Sequence, residues 1–169
     1  MTAEQTTAPL SKAEQRFVED MAYLFEKSGG PRMMGRILGW LLIADTPYQS
    51  AAQIAAALSA SKGSISTGLR SLVGLGLLER TALPPRRVDH YRAAPGMWIE
   101  TARRSMPTVR AMIEVGSRGL ALLGEDPDPE RRAPLEEMVA FYGYWETELA
   151  AALQRWQAEH DGRHGTERT

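Results

Sequence analysis

The chain has 169 residues, of which 43% are hydrophobic and 24% charged, a net charge of −1 and no cysteine. That length suffices for one domain with a sizeable core, and the lack of cysteine excludes disulfides, thiolate metal ligands and a cysteine redox switch. No apolar run reaches the roughly 18 residues needed to cross a bilayer. Residues 1–10 also lack the basic start and apolar centre of a secretory signal, so the chain reads as cytoplasmic, with no membrane partner.

In chain order, residues 1–10 and 161–169 are polar and are expected to be disordered. Ser11 is placed to cap a helix running to about Ser28, with Glu14 as its capping-box partner and Phe17, Met21, Leu24 and Phe25 as its apolar stripe. Gly29-Gly30 ends it, and Pro31 opens a second helix reaching Ala44, with Met33, Ile37, Trp40, Leu41 and Ala44 inward at helical spacing. Asp45-Thr46-Pro47 breaks that helix. A short Ala-rich helix follows from Ser50 to Leu58, then a corner at Ser59-Ala60, then a further helix from Ser61 to about Val73. Those two helices are expected to pack through Ile54, Ala55, Leu58, Ile65, Leu69 and Leu72, with Leu75 and Leu77 completing the core.

After Gly74-Leu75-Gly76, two strands to Leu83 and from Val88 flank the tip Pro84-Pro85-Arg86-Arg87, with Arg92 set to pair with Glu79 across them. The order describes a winged helix: mainly α, a helix-turn-helix with a two-stranded β-ribbon wing. A helix from about Met97 to Leu123 follows, with Trp98, Ala102, Ser105, Val109, Met112, Gly116 and Leu120 on one side. Pro107 is expected to kink or split it. Asp128 caps a last helix to about His160, starting at Pro129 or at Pro134. There Leu135, Met138, Tyr142, Trp145, Leu149, Ala152 and Trp156 alternate spacings of three and four, a coiled-coil-like seam. The chain therefore reads as a single domain of three parts: an N-terminal dimerisation helix (11–30), a winged helix (31–93) and C-terminal dimerisation helices (97–160). A winged-helix core of about 60 residues cannot bury so many large side chains alone, which predicts a homodimer. Packing of the same helices within one chain is the alternative.

The residues left outward on the second helix of the helix-turn-helix suit a DNA major groove. Ser64, Ser66 and Thr67 are short donors and acceptors, and Gly63 permits close backbone approach. Arg70 reaches a phosphate or a guanine, while Ser61 and Lys62 stand at the positive helix start, where phosphate is attracted. At the wing tip, Arg86 and Arg87 suit a minor groove. Between Ser61 and Arg92 stand six basic and two acidic residues, a net +4 that leaves −5 for the remainder. Such asymmetry fits one face turned to phosphates. A window of this length also fluctuates by a few charges, so the charge gains weight from the fold pattern. The partner implied is double-stranded DNA. A winged helix used for protein–protein assembly is the second reading, and it fits the basic wing less well.

Catalytic patterns are missing, so no enzyme, no cofactor and no metal site is expected. His90, His160 and His164 are dispersed without ligand spacing, and no phosphate-loop lysine follows Gly74-Leu75-Gly76. Phe141, Tyr142, Tyr144 and Trp145 crowd one turn of the last helix. With Trp40 and Trp98 they make a candidate pocket for a flat apolar or quaternary ammonium effector (Trp40, Trp98, Tyr142, Trp145), against the plainer reading of core or dimer seam.

The runs Phe25-Glu26-Lys27-Ser28-Gly29-Gly30-Pro31-Arg32-Met33, Gly35-Arg36-Ile37-Leu38-Gly39-Trp40-Leu41-Leu42 and Ala60-Ser61-Lys62-Gly63-Ser64-Ile65-Ser66 carry a resemblance. With Pro85-Arg86-Arg87-Val88-Asp89-His90-Tyr91-Arg92 and Pro95-Gly96-Met97-Trp98, they resemble the MarR-type winged-helix transcriptional regulators, more closely the GbsR-like branch. The resemblance spans roughly residues 14–156. It implies a dimeric, sequence-specific DNA-binding regulator, usually a repressor and often autoregulating, with its recognition helix over Ser61–Val73 and its wing tip over Pro84–Arg87. Some members sense choline- or betaine-like osmolytes; others sense oxidants through a cysteine, which this chain lacks.

Overall fold

A computed structural model describes residues 10–83, 88–124 and 128–164, and the chain divides into two compact units, Met1–Trp98 and Ile99–Thr169.

In the first unit, α1 (Lys12–Lys27) starts with the expected capping box. The Glu14 N–H donates to Ser11 Oγ at 3.3 Å, and the Ser11 N–H donates to the Glu14 carboxylate at 2.7 Å. These bonds with Ser11 hold the Glu14 carboxyl below its ordinary pKa. The helix ends with Gly29 at φ 79° and the Gly30 N–H on the Phe25 carbonyl at 2.8 Å, a Schellman closure. Pro31 then caps α2 (Arg32–Ile43).

The inward face of α1 differs from the expected stripe. Val18 and Ala22 are fully buried, whereas Phe17 and Leu24 are exposed. The cause is a close helix crossing. A Cβ at Gly35 of α2 would lie 2.5 Å from the Met21 carbonyl oxygen and 2.6 Å from Ala22 Cα, and one at Gly39 would lie 3.2 Å from Val18 Cα. The line of smallest residues sets the contact, and the larger apolar side chains of α1 fall beside it. Helix α2 is buried on several sides, through Met34, Ile37, Leu38, Trp40 and Leu41. Met33 and Ala44, expected inside, are only partly buried, because a helix sunk in the middle of a unit has no single inward stripe.

Ser50 and Gln53 form a second capping box at the start of α3 (Ala51–Ala57). Helix α3 ends at its C-cap Leu58, and the next residue, Ser59, adopts φ 49° without being glycine. The Ser59 N–H meets the Ala56 carbonyl and the Ala60 N–H the Ala55 carbonyl, the same Schellman pattern. Ser61 then caps α4 (Lys62–Gly74). Ile54, Leu58, Ile65, Leu69 and Leu72 are buried as expected. Leu77 joins them together with Leu78, but Leu75 is half exposed. It occupies the C-cap of α4, where the chain reverses through Gly76 (φ 69°).

The sheet has three strands, one more than the expected ribbon: β1 (Gln49–Ser50), β2 (Leu78–Leu83) and β3 (Val88–Ala93), in the order β1-β3-β2. All pairs are antiparallel, with Gln49 opposite Tyr91 and Glu79 opposite Arg92. Two residues are too few to show alternation, and Ser50 also serves as the cap of α3, so β1 leaves no strand pattern in the sequence.

The second unit is a helical hairpin. Helix α5 (Met97–Leu123) runs unsplit through Pro107, and α6 (Pro129–His164) starts at Pro129 rather than Pro134. The Asp128 carboxylate accepts the Glu130 N–H at 3.0 Å. The helices are antiparallel: Arg110 pairs with Glu146, a Cβ at Gly116 would meet Val139 at 2.7 Å, and one at Gly119 would meet Leu135 at 3.0 Å. On the expected inner side of α5, Val109 is buried, but Trp98 and Met112 are exposed. Along the α6 seam, Leu135, Met138, Tyr142 and Leu149 are half-buried, while Trp145, Ala152 and Trp156 are exposed.

Two substitutions separate these features. Gly35→Ala pushes a methyl into the backbone of α1 and should lower the unfolding free energy by about 3 kcal/mol, at the upper end for overpacking. Ser59→Gly relieves the left-handed corner and should raise it by about 0.5–1 kcal/mol. Urea unfolding followed by circular dichroism measures both, and a neutral Gly35→Ala would refute the tight crossing.

Candidate nucleic-acid interface

Helix α4 presents two chemically distinct faces. Ile65, Gly68, Leu69 and Leu72 are buried, and Gly68 lies against α2, where an added Cβ would come within 2.5 Å of Ile37 Cδ1. On the other side Ser61, Lys62, Gly63, Ser66, Thr67 and Arg70 are exposed and Ser64 is half-buried. Ser61 Oγ accepts the Ser64 N–H at 3.3 Å, so the cap satisfies one amide of the first turn and leaves the positive helix end open to solvent. Nothing lies within 4 Å of a Cβ built on Gly63. Arg70 Nη2 reaches Thr67 Oγ1 at 3.5 Å, laying the guanidinium along the outer face.

The strand arginines are compensated locally. Arg92 donates through Nε and Nη2 to Glu79 Oε2, both at 2.7 Å, and its guanidinium lies over the Tyr48 ring at 5.1 Å. The Glu79 carboxylate holds the Arg92 pKa above its ordinary value. Arg80 faces Asp89 at 3.5 Å. These cross-strand pairs cancel charge on the ribbon, while no ion pair among the described residues involves Lys62 or Arg70. Arg86 and Arg87, expected at the wing tip, lie outside the described residues.

The four aromatics expected to form a pocket divide between the units. Trp40 is buried in the core of the first, with no acceptor for its indole N–H among the described residues. Trp98, in the same unit, is 57% exposed. In the second unit Tyr142 is half-buried, its ring edge-on to Phe141 at 5.3 Å, and Trp145 is 46% exposed. Among the described residues no three His, Asp or Glu side chains gather to hold a metal ion, and no helix is long and apolar enough to cross a membrane.

Two contributors were not singled out from sequence. Gly68 sets the depth of α4 on α2, and Arg36 of α2 donates to the Leu58 carbonyl at 3.0 Å, at the corner before α4. An arginine within an otherwise apolar helix is the signal that pointed to the second; Gly68 gave none beyond its place between Ile65 and Leu72.

A small-polar second helix on a helix-turn-helix, backed by a three-stranded antiparallel sheet, defines the winged helix-turn-helix class of transcription regulators. Comparison with known proteins narrows the class. A family model described as MmpR5-like MarR family transcriptional regulator matches residues 96–159. The HTH-type transcriptional regulator MmpR5 of Mycobacterium tuberculosis (strain ATCC 25618 / H37Rv) is 36% identical over 140 residues, 83% of this chain and 84% of that protein. A crystal structure of a transcriptional regulator aligns at a TM-score of 0.71 and 35% identity, over 86% of this chain and 99% of that one. The chain belongs to the MarR family of winged-helix transcriptional regulators. These relatives are named as regulators, and none as an enzyme.

Because Gly63 is open to solvent inside the first turn of α4, Gly63→Ala should raise stability by about 0.5 kcal/mol through helix propensity. The melting temperature measures this, and a fall would mean that the outer face of α4 is not free.

Proposed function

We propose that the chain is a homodimeric, sequence-specific DNA-binding regulator in the cytoplasm, a ligand-responsive repressor acting at a pseudo-palindromic operator. The observation that carries this reading is the exposed small-polar face of α4, from Ser61 to Arg70, on a helix whose opposite face is fully buried. Ser64, Ser66 and Thr67 read base edges, Gly63 lets the backbone approach them, and Lys62 and Arg70 meet phosphate or guanine. Arg86 and Arg87 of the wing supply sequence-independent affinity.

The surface of α6 supports the dimer. Trp145 and Trp156 of the seam are about half exposed in the single chain, as is Phe141 beside them, and a second copy would cover them. Two recognition helices related by a two-fold axis then meet half-sites about 10 bp apart. Trp40 and Trp98 in the first unit, and Tyr142 and Trp145 in the second, are our candidates for contact with an effector, and the GbsR-like branch, carried by the Gly35–Trp40 and Ser61–Ser66 runs, is our placement within the family.

Fluorescence anisotropy against the DNA upstream of the protein's own gene, with random duplex as control and salt varied, tests the function. Binding that prefers the upstream DNA and survives moderate salt is expected. Replacing Arg86 and Arg87 together by alanine should weaken binding to all sequences and flatten the salt slope, whereas Ser64→Ala or Thr67→Ala should shift preference among sequences. Failure to bind any duplex at low salt would overturn the reading in favour of a protein-assembly module. An 18.7 kDa species in sedimentation at micromolar concentration would overturn the dimer.

A further inference from the structure

A chain of ion pairs runs through the first unit and ends on the helix-turn-helix. Arg32 joins Glu26 at 3.0 Å and Glu19 at 2.5 Å; Glu19 Oε1 lies 2.9 Å from Arg36 Nε; and Arg36 Nη2 donates to the Leu58 carbonyl at 3.0 Å. The first links fasten α1 to α2. The last has a different target, because Leu58 is the C-cap of α3. The Schellman bonds at this end engage the carbonyls of Ala55 and Ala56, and the Leu58 carbonyl is one of the terminal acceptors that a helix leaves unmet. Arg36 supplies its donor. One residue later comes Ser59 in the left-handed region, a conformation unfavourable for a non-glycine residue. Two residues after that, Ser61 caps α4.

The corner that sets α4 is thus strained, short and fastened from outside by one arginine. The neighbouring residue on α2, Ile37, packs on Gly68 of α4, so adjacent positions of one helix hold the recognition helix at its corner and along its face. The guanidinium is only partly enclosed: Nε is buried and meets Glu19 as an ion pair without hydrogen-bond geometry. The Arg36 side chain keeps 26% of its surface exposed and borders a cavity of about 230 Å³ lined by Gln15, Glu19, Leu58 and Ser59 among others.

We propose that Arg36 is a positioning residue for DNA recognition. It ties the Leu58–Ser59 corner to Glu19 of α1, so that α4 is presented at one angle and movement of α1 is felt at its mounting. The inference rests on the DNA-binding function proposed above.

Two readouts on the full-length protein test it: amide hydrogen exchange at Leu58, Ser59 and Ala60, and the ratio of affinities for a duplex selected from a random library and for random duplex. Arg36→Gln should speed corner exchange at least about fivefold while α1 amides stay protected. It should also cut the affinity ratio about tenfold, the equivalent of one charge-assisted hydrogen bond. Random-duplex binding, driven by phosphate charge, should hold. Glu19→Gln keeps Arg36 in place but releases its anchor, and should act in the same direction and more weakly; it decides the matter should Arg36→Gln not fold. Arg36→Lys, which cannot serve both partners at once, should restore part of the ratio. Unchanged corner exchange, or faster exchange with an unchanged ratio, overturns the proposal. If the wild-type protein prefers no sequence, the proposed function falls instead, and corner exchange alone decides whether Arg36 holds the corner.

Discussion

The constraint on which the first unit depends is that α2 must be thin on one side and thick on the other. Gly35 and Gly39 let the backbone of α1 approach within contact distance, and Ile37 fills the space left by Gly68 of α4. Glycine in a helix interior costs about 1 kcal/mol against alanine. Here that cost brings two backbones together and lets the buried Val18 and Ala22 seal the crossing. Everything that positions the outer face of α4 follows, because α4 is mounted on α2 through one face and on α3 through the short corner between the caps Leu58 and Ser61.

Charge is distributed so that the ribbon and the helix have different characters. The net +4 of residues 61–92 suggests a uniformly basic surface, but on the strands Glu79 stands opposite Arg92 and Asp89 pairs diagonally with Arg80. Exposed pairs of this kind add little stability, about 0–1 kcal/mol. What they do is offset the charge of Arg80 and Arg92, so that the strands carry less net positive charge than their arginines alone suggest. Within residues 61–92, the described cations left without an ion pair are Lys62 and Arg70 of α4, and Lys62 stands where the helix dipole adds.

Much of this was legible in the sequence because it is encoded locally. The capping box at Ser11/Glu14, the Ser61 cap and the Gly29 and Gly76 closures each sit within a few residues of their own partners, and the Glu79–Arg92 pair follows from strand register alone; the Ser50/Gln53 box, equally local, is a finding of the structure. The three-heptad spacing of α6 likewise located that helix. What failed was long-range. The α1 stripe was drawn through the largest apolar residues, but glycines on another helix chose Val18 and Ala22 instead. Leu75 was placed inside on hydrophobicity, although a chain reversal turned it outward. The strand β1 was missed because two residues carry no period, and of the two outcomes expected at Pro107, a kink or a split, the split does not occur.

The same distinction explains why the face of α4 was readable while a ligand pocket was not. An exposed helix face is made by one helix, so its composition appears in consecutive residues: Ser61-Lys62-Gly63-Ser64 and Ser66-Thr67, interrupted by the inward Ile65. A pocket is made by several elements, and an aromatic in it is indistinguishable by sequence from one in a core. Trp40 illustrates the point. It sits in the same apolar run as Ile37 and Leu41, is as buried as they are, and yet carries an indole N–H with no acceptor among the described residues. Periodicity predicts its burial correctly and says nothing about that N–H, since the cost of an unmet donor, about 1–3 kcal/mol, depends on which atoms other helices bring beside it. Local rules therefore fix which face of α4 turns outward, whereas any pocket is written in contacts between elements.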